Sequence, residues 1–344
     1  MNLTHKFTSG VSKDGVLGTG RRRRVIQVLF WILIPLIVWW SLRDVSLSEI
    51  FNNVRQIGFQ AIFLLLAINV FIFILISLRW WLILRAQGLR ISLISVVGFR
   101  LAGFGITYFT PGPQFGGEPL QVYLLKDKEG IPLPTGATSV AVDKLLELLA
   151  NFSFLAIGVF MLLISGVFQT KGSDLIILVP VLFLFIPAVY LLILWAGRHP
   201  LSTIFGEIGT LIPESKKFQS MVTVLKETEA MLSEFCQQNV KALFFGMLLS
   251  VVIWGLMVFE FGLMLGFLGV SFSLVKVLIA LTAARIAFLL PFPAGLGALE
   301  AGQVMAMGLI GVNPAVGISL SLMIRARDIL FGGVGLWLGG YYSR

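Results

Sequence analysis

Among the 344 residues there is one cysteine, Cys236, and two histidines, His5 and His199, far apart in the chain. A disulfide framework and a His/Cys metal centre are therefore excluded, and neither a metal nor another cofactor is expected. Charge is also scarce: Asp, Glu, Lys and Arg make up 12% of the chain, against roughly one quarter in a soluble domain. No polar stretch is long enough for a separate soluble domain; the longest, about 198–239, reads as one or two short helices with linkers. The charge that exists is unbalanced, +9 net with an isoelectric point near 9.9. Its basic residues stand at the ends of apolar segments rather than on one polar face, so topology explains them and nucleic acid is not an expected partner. Clustered aspartates for a divalent ion and a long extramembrane acceptor loop are both missing, which counts against an enzyme.

What remains is apolar. Hydrophobic residues make up 57% of the chain and the mean hydropathy is +0.95, which defines an all-α polytopic membrane protein. Residues 1–24 read as a flexible cytoplasmic tail ending in Arg21–Arg24, with no small-residue cleavage site before the apolar run that follows. Residues 25–344 read as a single transmembrane domain. Since a crossing needs about 20 apolar residues, six full crossings are expected near 25–42, 57–80, 136–166, 174–196, 240–269 and 315–341. Two further apolar regions, 91–130 and 271–312, are interrupted by Pro and Gly into pieces too short to cross. Such pieces read as re-entrant helical hairpins, tolerated at membrane depth when buried in protein or lining a cavity. The positive-inside rule makes Arg21–Arg24, the Arg79/Arg85/Arg90 group, Lys126/Lys128 and the stretch from Arg198 to Lys217 cytoplasmic. The first hairpin then enters from the cytoplasm and the second from outside, in a cell membrane with the N-terminus inside. Within the linker, Phe218, Met221, Val222, Leu225, Met231, Leu232 and Phe235 fall near helical spacing, as in an amphipathic helix on the cytoplasmic surface or packed on the bundle.

The breaks are related. Shifting PGPQFGGEPLQV by 182 positions lays it over PAGLGALEAGQV and matches Pro111 with Pro293, Glu118 with Glu300, Gln121 with Gln303 and Val122 with Val304. The same shift brings Pro132 onto Pro314 and the helix starting near 57 onto the one starting near 240. The first unit contributes three crossings before the second begins, so repeat units of about 57–196 and 240–341 form an inverted repeat, with the two hairpins oppositely oriented. In secondary transporters of this kind, broken helices from the two halves meet near the midplane around the substrate.

The hairpin breaks comprise Pro111, Gly112, Pro113, Gly116, Gly117 and Pro119 in the first, and Pro291, Pro293, Gly295 and Gly297 in the second. Pro119 suits a first helical turn, so the helix it opens turns its N–H groups and positive dipole end inward, toward an anion such as a lipid phosphate. Glu118 and Glu300 have two readings: each caps its own helix, or each is a titratable carboxylate that couples transport to protons or meets a cationic headgroup. Intramembrane charges are costly and normally pair or line a polar cavity. Arg100, Arg285, Arg325 and Arg327 are candidates for phosphate, because a guanidinium donates two parallel hydrogen bonds. Asp143, Lys144 and Asp328 complete the candidate transport site with Gln121 and Gln303, and Glu147 stands beside them. The repeat places Asp143 on Arg325, so Asp143 is expected to bridge the halves to Arg325 or Arg327. Arg79 and Arg85, beside Trp80 and Trp81, read as interfacial anchors. Gly335 and Gly339 read as a close-packing pair.

At TPGPQFGGEPLQVYLLK, SVAVDKLLELL and PFPAGLGALEAGQ the chain resembles the transmembrane region of lysylphosphatidylglycerol synthases, also described as a flippase-like family of uncharacterised membrane proteins. The resemblance covers roughly residues 25–341. It implies lipid handling, since the membrane half of the two-domain multiple peptide resistance factors is implicated in flipping aminoacylated phosphatidylglycerol. The soluble synthase domain of those proteins is not in this sequence, so lipid aminoacylation is not implied. The expected function is a flippase acting by alternating access, with membrane lipids as partners: an anionic phospholipid or a polyprenyl-phosphate-linked lipid. An integral lipid transferase and an accessory scaffold for a separate lipid synthase are the alternatives, and a homodimer is the default assembly.

Overall fold

The computed structural model describes residues 57–110, 116–164, 173–211 and 216–342, with single positions at 48, 52 and 55. The expected N-terminal tail, the Arg21–Arg24 cluster, the crossing near 25–42 and Pro111, Gly112 and Pro113 of the first break lie outside the described residues. Among the described residues the chain is all helical, without a strand. Long apolar runs explain this, because a helix satisfies every backbone polar group within its own segment.

The first unit consists of α1 (Phe59–Ala86), α2 (Leu93–Phe109), α3 (Glu118–Glu129) and α4 (Leu133–Ile164). Next come α5 (Ser173–Trp195), α6 (Pro200–Leu211) and α7 (Lys216–Gln238), and the second unit is α8 (Val240–Phe267), α9 (Leu274–Leu289), α10 (Ala298–Leu309) and α11 (Pro314–Tyr342). Local signals set the ends. The Ser92 hydroxyl accepts from the Ser95 N–H at 3.0 Å to start α2, and Gly130, left-handed at φ 67°, stops α3.

The 182-residue repeat governs the architecture. Each helix of the second unit begins within two residues of the position 182 beyond its counterpart: 59 and 240, 93 and 274, 118 and 298, 133 and 314. Lengths agree as well, 28 and 28, 17 and 16, 12 and 12, 32 and 29 residues. The breaks, 110–117 and 290–297, are equally long. Within each unit the same neighbours pack, and between units α1 lies against α8 while α2 on α11 mirrors α9 on α4. This is the contact pattern of two like units facing one another.

Among the described residues, three helices have stretches long and apolar enough to cross a membrane: Phe59–Ala86, Leu133–Met161 and Val240–Phe267. Helix α2, at about 1.5 Å per residue, falls short of the roughly 30 Å hydrocarbon core. After α5 the chain turns by 93° into α6. The linker helix α7 packs on α4, α5 and α6 through Val222, Leu232 and Phe235, the bundle-packed alternative for this amphipathic segment. Buried Glu229 of α7 fixes the corner: it accepts from Tyr190 Oη at 3.0 Å and from the first-turn N–H groups of Leu201 and Ser202 at 3.0 and 2.7 Å. A carboxylate from another helix thus caps α6. Cys236 on the same helix is buried, and burial pushes its thiol up to about 11, leaving it unreactive at neutral pH.

Candidate functional site

Between the two units lies a cavity of about 270 Å³. Helices α1 to α4 and α8, α9 and α11 all line it, and so does the second break. Aromatic rings make much of the wall, including Phe73 stacked on Phe331 and Trp254 stacked on Phe154. Against this apolar wall stand two groups of charged side chains.

The first group belongs to the first unit. Asp143 is 1% exposed; it accepts from Arg79 Nε at 2.7 Å and from Arg100 Nη2. Arg79 donates its Nη1 to the Ser250 hydroxyl of α8 at 2.9 Å and faces Glu147 at 3.8 Å. Arg100 also lies over the Trp80 ring, 5.4 Å from its centroid. Lys144, one residue along α4, bridges Glu147 at 2.9 Å and Glu118 at 3.1 Å. Three cations meet three carboxylates, as desolvated charges require.

The second group is built differently. Glu260 is buried in mid-α8 and accepts from Asn69 Nδ2 at 2.8 Å and Arg327 Nη1 at 2.7 Å. Arg327 also donates its Nε to Asp328 at 2.8 Å. Arg325 turns the other way, to Glu300, with Nη2 to Oε2 at 2.7 Å. Its Nε donates to the other oxygen of Glu300, while Nη1 and Nη2 reach the carbonyls of Ala294 and Gly295 at 3.0 and 3.2 Å. Ala294 has φ 51°, the one left-handed non-glycine among the described residues. Such backbone costs about 1–2 kcal/mol, and the Arg325 bonds hold it in place. Glu300 also accepts from the Gly297 N–H at 3.0 Å, so it caps α10 while it binds Arg325. Of the two readings of this residue, the geometry displays the cap.

Glu118 follows the same plan with weaker support. It accepts from the Gly116 N–H at 2.8 Å, has Lys144 as its cation, and borders the cavity. Pro119 sits in the first turn of α3, and Gly116 takes φ 141°. A Cβ at Gly117 would come within 2.1 Å of the Gly103 carbonyl, so the break is seated directly on α2. In the second break Pro291 precedes the short helical turn Pro293–Gly295, and Gly295 and Gly297 take φ 61° and 78°. Gln121 reaches the cavity wall, whereas Gln303 does not: its Nε2 donates to the Ala280 carbonyl at 2.8 Å and ties α10 to α9.

Two expectations are corrected. Asp143 meets neither Arg325 nor Arg327. Equivalence under a two-fold relation puts residues in like surroundings, and each finds its partners in its own unit: Arg79 and Arg100 for Asp143, Glu300 for Arg325. The halves are bridged instead along α1 and α8, by Asn69 with Glu260 and Arg79 with Ser250. Second, Arg79 is no interfacial anchor: α1 continues to Ala86, which leaves Arg79 3% exposed inside the bundle. Arg85 is exposed near the end of α1 and lies 4.8 Å from the Trp81 ring centroid. Glu260 and Asn69 are site residues that sequence reasoning missed. The signal for Glu260 was present, a lone carboxylate in an apolar run of 28 residues.

Comparison with known proteins places the chain in a family. A model of the family described as the lysylphosphatidylglycerol synthase TM region matches residues 25–334. A UPF0104 membrane protein of Methanothermobacter thermautotrophicus is 22% identical over 290 residues, 81% of this chain and 84% of the relative. Another, of Methanocaldococcus jannaschii, is 23% identical over 296 residues, 82% and 84% of the two chains. A third, of Pyrococcus horikoshii, is 23% identical over 332 residues, 91% and 96%. The chain is a membrane protein and belongs to the lysylphosphatidylglycerol synthase transmembrane-region family.

Proposed function

We propose that the protein is a lipid flippase that moves a phosphate-bearing lipid between leaflets by alternating access at the cavity between its two units. The observation that carries this reading is a charged, aromatic-walled cavity bounded by both halves of a repeat. Ionisable groups in an apolar bundle are costly, and a polar path for a headgroup gives them a use. In this reading α2 with α3, and α9 with α10, are re-entrant hairpins entering from opposite faces of the cell membrane. Six full crossings, counting that near 25–42, complete the inverted repeat, and the N-terminus is cytoplasmic. Rocking of one unit against the other exposes the cavity to each leaflet in turn. Charged linings held mostly in mutual pairs suit that cycle, because few ions are stranded while the cavity is dry.

Topology provides one test. Cysteines introduced as Glu129→Cys and Gly308→Cys, both at exposed positions beyond the two breaks, should react with an impermeant maleimide from opposite sides of the membrane. Labelling of both from one side would defeat the inverted arrangement. Transport is the second test. Purified protein in liposomes should accelerate the transbilayer movement of a fluorescent phosphatidylglycerol, and Glu118→Gln should slow it at least tenfold. Wild-type vesicles no faster than protein-free ones would sink the flippase reading.

A further inference from the structure

Every cationic side chain lining the cavity has a carboxylate partner except one. Arg79 and Arg100 share Asp143, Lys144 has Glu118 and Glu147, and Arg327 has Glu260 and Asp328. Arg285 of α9 forms no ion pair among the described residues. Its Nη2 points at the thioether sulfur of Met257, 2.8 Å away, and its guanidinium lies 4.7 Å from the centroid of the Trp254 ring. A thioether is a weak acceptor, so the donors of this guanidinium are poorly used.

Arg100 of the first unit shows what is missing. It too lies over a tryptophan, Trp80, but is neutralised by Asp143 of α4. Arg285 lies over Trp254 of α8 with no such acid. The 182-residue shift sets Arg285 on Gly103 and Trp254 on Ile72, so the likeness is one of chemistry and not of repeat position. The position matching Asp143 is Arg325, which turns to Glu300 and the carbonyls of the break and supplies no acid. A cation in an apolar wall is costly without a counter-charge, and a tryptophan face offsets only part of the cost, about 0.5–2 kcal/mol.

We infer that Arg285, backed by Trp254 and Met257, is the receptor for the anionic group of the cargo: one phosphate ester takes the place that Asp143 occupies opposite Arg100. Two ester oxygens match the planar guanidinium fork, which the sulfur does not. Trp254, held from behind by Phe154 of α4 at a centroid distance of 4.1 Å, keeps the fork aimed into the cavity. The inference rests on the transport reading for the identity of the cargo as a lipid, and its test is binding at equilibrium rather than movement.

Full-length protein in detergent is titrated with dioleoylphosphatidylglycerol and, separately, with inorganic phosphate, and the rise in melting temperature gives each apparent Kd. Arg285→Gln should raise the Kd at least tenfold, whereas Arg85→Gln on the exposed end of α1 should leave it within twofold. Met257→Glu sets an internal carboxylate beside Arg285, so it should fold with its charges paired and bind neither probe. This variant keeps the test decisive if Arg285→Gln yields no folded protein. Arg285-dependent protection by the lipid alone assigns a lipid headgroup, and protection by inorganic phosphate as well assigns the phosphate group itself; both support the receptor. Wild-type affinity in Arg285→Gln or in Met257→Glu overturns it. Scrambling by a protein whose binding ignores Arg285 would leave the flippase reading standing, and Arg285-dependent binding without scrambling would do the reverse.

Discussion

Asp143→Ala is expected to lower the stability of the folded protein by about 3–5 kcal/mol, the usual cost of removing one partner from a buried ionic cluster. The figure applies here because Asp143 serves two guanidinium groups at once. Arg79, itself 3% exposed, would keep only the Ser250 hydroxyl and a distant Glu147, and Arg100 would keep only its place over Trp80. Arg79 has no other way to recover its solvation inside the bundle. Asp143→Asn is the sharper variant: it preserves shape but replaces a charge that accepts from both arginines with a neutral amide. A loss of more than about 2 kcal/mol is expected from it, charge-assisted hydrogen bonds contributing roughly 1.5–3 kcal/mol each. Detergent-titrated unfolding measures both. Double replacement of Asp143 and Arg100 should recover part of the loss, because the uncompensated charge rather than the missing contact dominates. Wild-type stability in Asp143→Ala would show that the cluster is hydrated and that its burial carries no energetic weight.

The breaks and the repeat were legible in the sequence because they depend on rare residues at fixed positions. Clustered Pro and Gly disfavour an apolar helix far more than single ones do, so the recurrence of such clusters 182 residues apart survives even though few neighbouring residues match. Glu118, Glu300, Asp143, Arg325 and Arg327 were legible for a related reason: an ionisable group inside an apolar run needs a partner. Which partner was not legible. The repeat identifies equivalent positions, but contact between them requires that they lie on the two-fold axis, and Asp143 and Arg325 do not. Arg79 was obscured by the local run RWWLILRA, whose charges and tryptophans resemble a membrane interface, while the helix continues through it to Ala86. That Arg285 meets a thioether and an indole rather than a carboxylate depends on packing that no spacing encodes.

Gly335→Ala should cost about 3 kcal/mol or more and, under the proposed flippase reading, slow lipid scrambling beyond that loss, although a single methyl is the smallest side chain that can be added. At Gly335 a Cβ would lie 2.0 Å from the Leu101 carbonyl oxygen and 3.1 Å from the Gly105 nitrogen. Reciprocally, a Cβ at Gly105 would lie 2.7 Å from the Leu336 nitrogen and 2.8 Å from the Gly332 oxygen. The colliding atoms are backbone, so no rotamer change relieves them, and α2 must move off α11. Overpacking of ordinary side chains costs about 1–3 kcal/mol, and a rigid contact belongs at or above the upper end. Displacement also reaches the site, since α2 carries Arg100 and Phe104 while α11 carries Arg327, Asp328 and Phe331 to the cavity wall. Gly339 is less critical, because its added methyl would find Ala102 at an ordinary 3.7 Å. Gly333, on the same helix, is exposed and has no atom within 4 Å of its Cβ position. There the same substitution should stabilise by up to about 1 kcal/mol through helix propensity. Opposite signs two residues apart separate close packing from propensity. Unfolding and scrambling measured on Gly333→Ala, Gly335→Ala and the Gly105→Ala/Gly335→Ala pair decide the matter. The pair should cost less than the sum of its singles, since one outward shift of α2 relieves both collisions. Equal effects at Gly333 and Gly335 would mean that the two helices stand further apart than this packing requires.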